Sequence, residues 1–274
     1  MATMILEAAG ALTDIDSQRI ATEVYPKLSV IMPAYNEEDQ IAQCISHARD
    51  HLDRLGFPYE IIVVDDGSTD RTREEALRAR GNPHVKVVGY ERNQGKGAAV
   101  RFGSECAKGD VVLFMDSDAD VRSDQVQRYV KALKDADIAI ASKWHPESEV
   151  TTPLPRRFLS YAFHILVMLL IGVRVSDTQS GMKAFRRDAL CTIMRLVSVK
   201  HYAFDVEVLA VASMLKMRIV ELPVKIQLAS LFSARHVLRM LIDLLGITYR
   251  LRVIRWYQRN LHNLNPRYKP IIKW

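Results

Sequence analysis

A chain of 274 residues, 49% hydrophobic and 26% charged with only 12 Gly and 10 Pro, has the means for a packed core and excludes a disordered or low-complexity protein. Cys44, Cys106 and Cys191 stand far apart with no C-x-x-C pair, which excludes a zinc ribbon or a disulfide framework and fits a reducing compartment. Net charge is +6, but Arg235–Trp274 holds nine Lys or Arg against the single acid Asp243, so a basic tail follows a mildly acidic body. That separation points to an anionic surface rather than to nucleic acid, with a solvated charged helix face as the bland alternative.

Residues 1–25 read as a flexible lead-in, because no basic region precedes an apolar one and Glu7, Asp14 and Asp16 argue against a transit peptide. The run Lys27–Pro33 is apolar and ends at Pro; Glu60–Asp66 is apolar and ends at Asp-Asp-Gly; both read as buried parallel strands. Between them Ile41, Cys44, Ile45, Ala48 and Leu52 recur at spacings of three and four, which predicts an amphipathic helix within 37–55. The alternation continues with a helix from about Asp70, capped by Ser68 or Thr69, a strand at 85–88 and a helix at 97–107. A strand at 110–115, a helix at 123–134 and a strand at 138–142 follow. Five strands alternating with helices specify an α/β, doubly wound, mostly parallel sheet, in which ligands bind beyond the carboxyl ends of the strands.

Those ends hold the chemistry-bearing residues. Tyr35-Asn36-Glu37 follows the first strand, Asp65-Asp66-Gly67-Ser68 the second, Arg92-Asn-Gln-Gly-Lys-Gly97 the third and Asp116-Ser-Asp-Ala-Asp120 the fourth. Clustered carboxylates repel unless a cation neutralises them, and magnesium or manganese prefers such oxygen ligands together with substrate phosphates. Asp116 and Asp118 would then hold a metal and, through it, a nucleotide diphosphate. The alternative is an Asp-rich turn that merely ends a strand. For Asp65 and Asp66, hydrogen bonds to a nucleobase and ribose would explain two adjacent acids, while the Gly-rich loop suits either phosphate or a structural turn.

The strings Pro33-Ala-Tyr-Asn-Glu37, Val64-Asp-Asp-Gly-Ser-Thr-Asp70, Arg92–Gly97 and Met115-Asp-Ser-Asp118 resemble the signatures of glycosyltransferase family 2, with its GT-A fold. Ser176-Asp-Thr-Gln-Ser-Gly-Met-Lys-Ala-Phe185 and Phe204-Asp-Val-Glu-Val-Leu209 resemble the polyprenyl-phosphate branch, the dolichyl-phosphate glucose and mannose synthases. The resemblance covers roughly residues 27–255. It implies that Pro33, Tyr35, Glu37, Asp65, Asp66 and Lys96 line the donor nucleotide and that Asp116, Ser117 and Asp118 hold its diphosphate. It implies a metal site of Asp116, Asp118 and Asp120, the last standing where some mannose synthases carry Gln. Acceptor phosphate maps onto Lys143, a point charge in place of a bidentate Arg, and onto Arg156 and Ser160, with Arg157 as the neighbouring register. Asp177 would position the acceptor or act as base toward a hydroxyl. Asp177-Thr-Gln-Ser-Gly181 is similar to the glucose-transferring relatives.

Two segments suggest contact with a membrane. Phe158–Val173 is the most apolar stretch, but Ser160, Tyr161 and His164 interrupt it, so it reads as an interfacial or buried helix over about 156–172, with His164 as a hydrogen-bonded structural residue. Residues 234–258 form a basic amphipathic helical pattern, with Leu238, Leu241, Ile242, Leu245 and Ile247 among arginines and Trp256 and Tyr257 at its end. Anionic lipid, packing on the body and homodimerisation are its three outlets. The expected organisation is thus a catalytic domain over 26–230 and a basic helical segment over 231–274, peripheral on the cytoplasmic face. The expected reaction moves glucose or mannose from UDP-glucose or GDP-mannose to a polyprenyl or dolichyl phosphate with inversion. The alternatives are a sugar or glycerolipid hydroxyl as acceptor, which needs a base, or a non-catalytic nucleotide-sugar sensor.

Overall fold

The computed structural model describes residues 27–261 apart from 82, 117–122, 202 and 228–233. The alternation expected from the apolar runs appears as β1 (Leu28–Ala34), α1 (Ile41–Asp53), β2 (Tyr59–Asp66), α2 (Thr72–Ala79), β3 (Val85–Tyr90) and α3 (Lys96–Cys106). It continues through β4 (Val111–Phe114), α4 (Ser123–Ala132) and β5 (Ile138–Ser142). A short β6 (Glu149–Thr151), the long helix α5 (Leu154–Ile171), β7 (Lys183–Arg186), α6 (Arg187–Met194) and α7 (Phe204–Met214) come next. The described chain then runs through β8 (Ile219–Pro223), β9 (Lys225–Gln227), α8 (Ala234–Thr248), a π-helical turn at Tyr249–Val253 and α9 (Trp256–Arg259).

The main sheet has seven strands in the order β3-β2-β1-β4-β7-β5-β8. All neighbours run parallel except β7, which lies antiparallel between β4 and β5. This strand escapes the sequence reading because Lys183-Ala-Phe-Arg186 is only four residues long and charged at both ends. Side chains alternate across β1: Leu28, Val30 and Met32 join α1 and α4 on one face, whereas Ile31 joins α3, α5, α6 and α7 on the other. The apolar side chains of α8 and α9, Met240, Leu244, Ile247 and Tyr257, enter that second layer. The order reverses at β1, where β2 leads one way and β4 the other; the crevice beyond these strand ends is the expected ligand position.

Helix α2 begins at Thr72, later than a cap at Ser68 or Thr69 requires, because those residues are used elsewhere. Ser68 Oγ accepts from the Asn36 N–H at 3.1 Å, and Thr69 N–H donates to Asn36 Oδ1 at 2.9 Å. Arg71 is the N-cap, and Asp70 just before it accepts from the Thr72 N–H at 2.9 Å and from Glu38 N–H at 3.2 Å.

The C-terminal pattern is not one continuous helix. After α8 the chain winds into a π turn, with Ile254 N–H bonded to Tyr249 O, and Arg255 takes a left-handed φ of 48°. Tertiary bonds explain the break: Arg250 reaches Glu207 on α7 at 3.1 Å and Tyr257 Oη at 3.1 Å, while Tyr257 Oη also donates to Glu207. Glu207, fully buried, further accepts from Ser198 N–H at 2.8 Å and Val199 N–H at 2.6 Å. A buried carboxylate satisfied by this many donors anchors the tail to the loop before α7.

Helix α5 is 18 residues long and apolar enough, by length and composition, to cross a membrane; 17% of it is buried. The buried-helix alternative therefore fails for most of its surface: Leu154, Phe158, Tyr161 and Leu169 are more than half exposed, while Phe163, Val167 and Ile171 enter the core and Leu166 and Leu170 pack against it. Pro153 leads into it and Gly172, in the left-handed conformation, ends it. The lead-in 1–25 and the chain beyond residue 261 lie outside the described residues.

Candidate active site

Loops at the carboxyl ends of the strands enclose a cavity of about 650 Å³. One end is walled by Pro33, Tyr35, Glu37 and Asp66 with Lys96 and Asp116, the other by Lys143, Arg156, Ser160 and Asp177. The structure thus brings most of the expected donor and acceptor residues to one space. Asp65 is the exception: successive residues of a strand point to opposite faces, and its carboxylate turns into its own loop to accept the Ser68 N–H at 3.0 Å. Ser117, Asp118 and Asp120 lie outside the described residues.

Asp66 lines the cavity but is already well served. It accepts from Tyr90 Oη at 2.6 Å, Asn93 Nδ2 at 2.9 Å, and the N–H groups of Gln94 and Gly95 at 2.9 Å each. A nucleobase is therefore not needed to explain an acid here, because the carboxylate shapes the 92–96 loop. Burial and the Asp66 carboxylate together push the Tyr90 phenol up, so it stays a donor. Gly95 enters α3 with φ 99°, and a Cβ there would overlap His201 and the Lys200 carbonyl. The loop rests on that carbonyl, which accepts Gly97 N–H at 2.7 Å.

Lys96 sits between two acids, 2.7 Å from Asp116 Oδ1 and 3.3 Å from Asp205 Oδ2. Asp205 also holds Lys183 at 2.8 Å, and Lys183 is 1% exposed, so an alternating chain of charges runs from the core to the cavity. Burial opposes both ionised forms. The two acids nevertheless hold the Lys96 ammonium above its ordinary range, and Lys183 and Lys96 hold Asp205 below the usual carboxylate range. Asp205 lies in the Phe204–Leu209 string without a role assigned from sequence; the signal that would have found it is an acid opening a helix that is otherwise almost wholly apolar. Asp116 keeps a third of its side chain exposed, and a Cβ on Gly181 would overlap its second oxygen, so a glycine leaves that oxygen accessible.

Among the residues expected to meet the acceptor, Asp177 is not a free base. Lys143 Nζ stands 2.9 Å from it, and the N–H groups of Lys143 and Gln179 donate at 3.0 Å each. Burial alone would raise the Asp177 carboxyl, but the Lys143 ammonium and these donors hold it below the usual range. It positions Lys143, whose backbone and side chain it grips together. Helix α5 contributes Arg156, Ser160, Phe163 and His164 to the cavity, and α8 contributes His236, Arg239 and Met240. Arg157 is not among the lining residues; its guanidinium lies 5.9 Å over the ring of Trp144, which is. Among the described residues no three His, Cys, Asp or Glu gather into a metal cluster.

The model of glycosyl transferase family 2 matches residues 29–193. The chain is 33% identical over 259 residues to a dolichyl-phosphate beta-glucosyltransferase of Homo sapiens, covering 87% of this chain and 80% of the human protein. With that of Mus musculus it shares 36% over 215 residues, 72% of this chain and 66% of the mouse protein. Among solved structures it is similar to glucosyl-3-phosphoglycerate synthase from Mycobacterium tuberculosis, in complex with Mn2+, UDP and phosphoglyceric acid. That match has a TM-score of 0.64 at 21% identity and covers 84% of this chain and 79% of the other, a likeness of fold. A mostly parallel sheet of this order, a carboxylate-bearing crevice at its switch point and these matches lead to one assignment: the chain belongs to glycosyltransferase family 2.

Proposed function

We propose that the protein transfers glucose from UDP-glucose to a polyprenyl phosphate such as dolichyl phosphate, by one displacement with inversion at the anomeric carbon. The observation that carries this reading is the Lys143–Asp177 pair. A hydroxyl acceptor requires a base, and the carboxylate best placed to serve is tied to a cation and held ionised, with little affinity for a proton. A phosphate monoester has a second pKa near 6 and needs no such base. Lys143, Arg156 and Ser160 suit its oxygens. Glucose rather than mannose is supported by the names of the relatives, and UDP is the nucleotide bound in the structural neighbour.

Asp116 fits a hard cation, having an accessible carboxylate oxygen beside the cavity. Magnesium or manganese would be held by Asp116 with Asp118 and Asp120, and when bound would neutralise the leaving diphosphate. On this reading Lys96 adds positive charge at the same end, and Tyr35 and Glu37 flank the nucleoside. The exposed apolar side chains of α5 and those of α8, Leu238, Ile242 and Leu245, each about 60% exposed, would rest in a bilayer with Arg252 and Arg255 at the lipid headgroups. Lipid and phosphate then approach the cavity from one side.

The test is a donor screen with UDP-glucose and GDP-mannose against a short-chain polyprenyl phosphate, with manganese or magnesium. Labelled glucosyl lipid phosphate is expected from UDP-glucose; label in free glycan alone rejects the acceptor. Cosedimentation with vesicles containing phosphatidylserine, lost on Leu238→Asp/Ile242→Asp, checks the membrane part; a stable dimer with no vesicle binding rejects it.

A further inference from the structure

We propose that His164 is a contact for the phosphate head of the lipid acceptor, completing a stripe that Arg156 and Ser160 begin on α5. The inference rests on the function proposed above. Residues 156, 160 and 164 are four apart, so they follow one another along one side of the helix. All three line the cavity, with Phe163 beside them.

His164 Nδ1 is shielded from solvent and has no hydrogen-bond partner. At this nitrogen the expectation of a hydrogen-bonded structural histidine does not hold. Buried polar atoms are nearly always paired, and each exception calls for an explanation. Helix α5 supplies none of its own, since not even Ser160, one turn before it on the same side, bonds this nitrogen, and a Phe or Leu would fill the same space without an orphaned atom. A ligand that enters the cavity does supply a partner.

The ligand's chemistry follows from what faces the ring. Lys143 and Asp177 neutralise each other on one side, as do Lys96, Asp116, Asp205 and Lys183 in their chain. Helix α8 faces the cavity with His236 and Arg239, and His201 looks in from the loop before α7. Beyond these groups the charged residues lining the cavity are Arg156 on α5 and Arg239 on α8, with Lys225, Glu37 and Asp66. With the proton on Nδ1, the stripe offers a guanidinium, a hydroxyl and an imidazole N–H, a set of donors that matches phosphate oxygens, which only accept.

The experiment compares the full-length wild type with His164→Phe and His164→Gln, reading KM for a short-chain polyprenyl phosphate, KM for UDP-glucose and the thermal midpoint. His164→Phe is expected to raise acceptor KM roughly tenfold or more, the usual loss for a hydrogen bond to a charged group, with donor KM unchanged and the fold no less stable. His164→Gln, which keeps an N–H donor, is expected to recover part of the loss. Wild-type acceptor KM in both variants overturns the proposal, as does an equal rise in both constants. If the wild type glucosylates no lipid phosphate, the proposed function itself falls, and this inference falls with it for that separate reason.

Discussion

At the proposed donor end of the cavity, the loops after β1, β2 and β3 are stitched to one another: Asn36 to Ser68 and Thr69, Glu37 N–H to Thr72 at 2.7 Å, and Asp66 to Asn93, Gln94 and Gly95. At the proposed acceptor end, α5 and α8 turn Phe158, Leu169, Ile242 and Leu245 outward, and His164 Nδ1 there is one of the buried side-chain atoms without a hydrogen-bond partner. Among the described residues, none of these orphaned atoms belongs to 27–116. On the proposed reading, the described loops of the donor end satisfy one another, whereas the acceptor end leaves apolar surface and a hydrogen-bonding atom for something outside the chain. That difference fits a water-soluble nucleotide at one end and a lipid at the other.

The sharpest way to break the comparison is at the donor end. Asp116→Ala is expected to lower kcat/KM by about a hundredfold to a thousandfold, the usual scale for a group that stabilises developing charge, measured with saturating divalent cation; activity within threefold of wild type would detach Asp116 from the leaving group. Next comes the buried charge chain. Lys183→Met leaves Asp205 with Lys96 alone, and unfolding by urea should show a loss of about 3–5 kcal/mol, with Lys183→Met/Asp205→Leu recovering much of it.

At the acceptor end, Lys143→Ala should raise KM for the lipid phosphate about tenfold or more while leaving donor KM unaltered, a selectivity that initial-rate kinetics resolves. A milder effect is expected at the tail anchor: Tyr257→Phe removes one donor from Glu207, which Arg250 and two backbone N–H groups still serve, so about 1 kcal/mol should be lost in denaturant unfolding. The pH response should be smallest near neutrality. Asp177 and Asp205 have depressed folded-state pKa values, so their stabilisation is fully present above the unfolded carboxylate value, about 3.9, and is lost as pH falls through the lower folded values. Thermal midpoints should thus hold between about pH 6 and 8 and fall only in acid below about pH 4; an early fall near pH 6 would contradict the pairing.

Much of the donor end was legible because each loop follows an apolar run in which a period of two or an unbroken stretch marks the strand, and its last residue marks the rim. Tyr35, Glu37, Asp66, Lys96 and Asp116 all reach the cavity as their positions imply. Asp65 does not, since adjacency in sequence hides the alternation of faces. Less of the acceptor end was legible. The short β7, charged at Lys183 and Arg186, has no periodic signal, and without it the path that carries Asp177 and Gly181 back to Asp116 cannot be drawn. His201, His236 and Arg239 come from segments far apart in the chain and meet only through packing.

Local pattern determined the alternating α/β architecture and the residues at the strand ends, because hydrophobic periodicity and turn chemistry act within a few residues of chain. Partnership was decided by the tertiary structure: that Lys143 claims Asp177, that Lys96 bridges Asp116 and Asp205, and that Glu207 bends the tail into a π turn at Arg250. Such choices depend on which charges burial brings within about 3 Å, where desolvation makes an unpaired ion costly and a paired one obligatory.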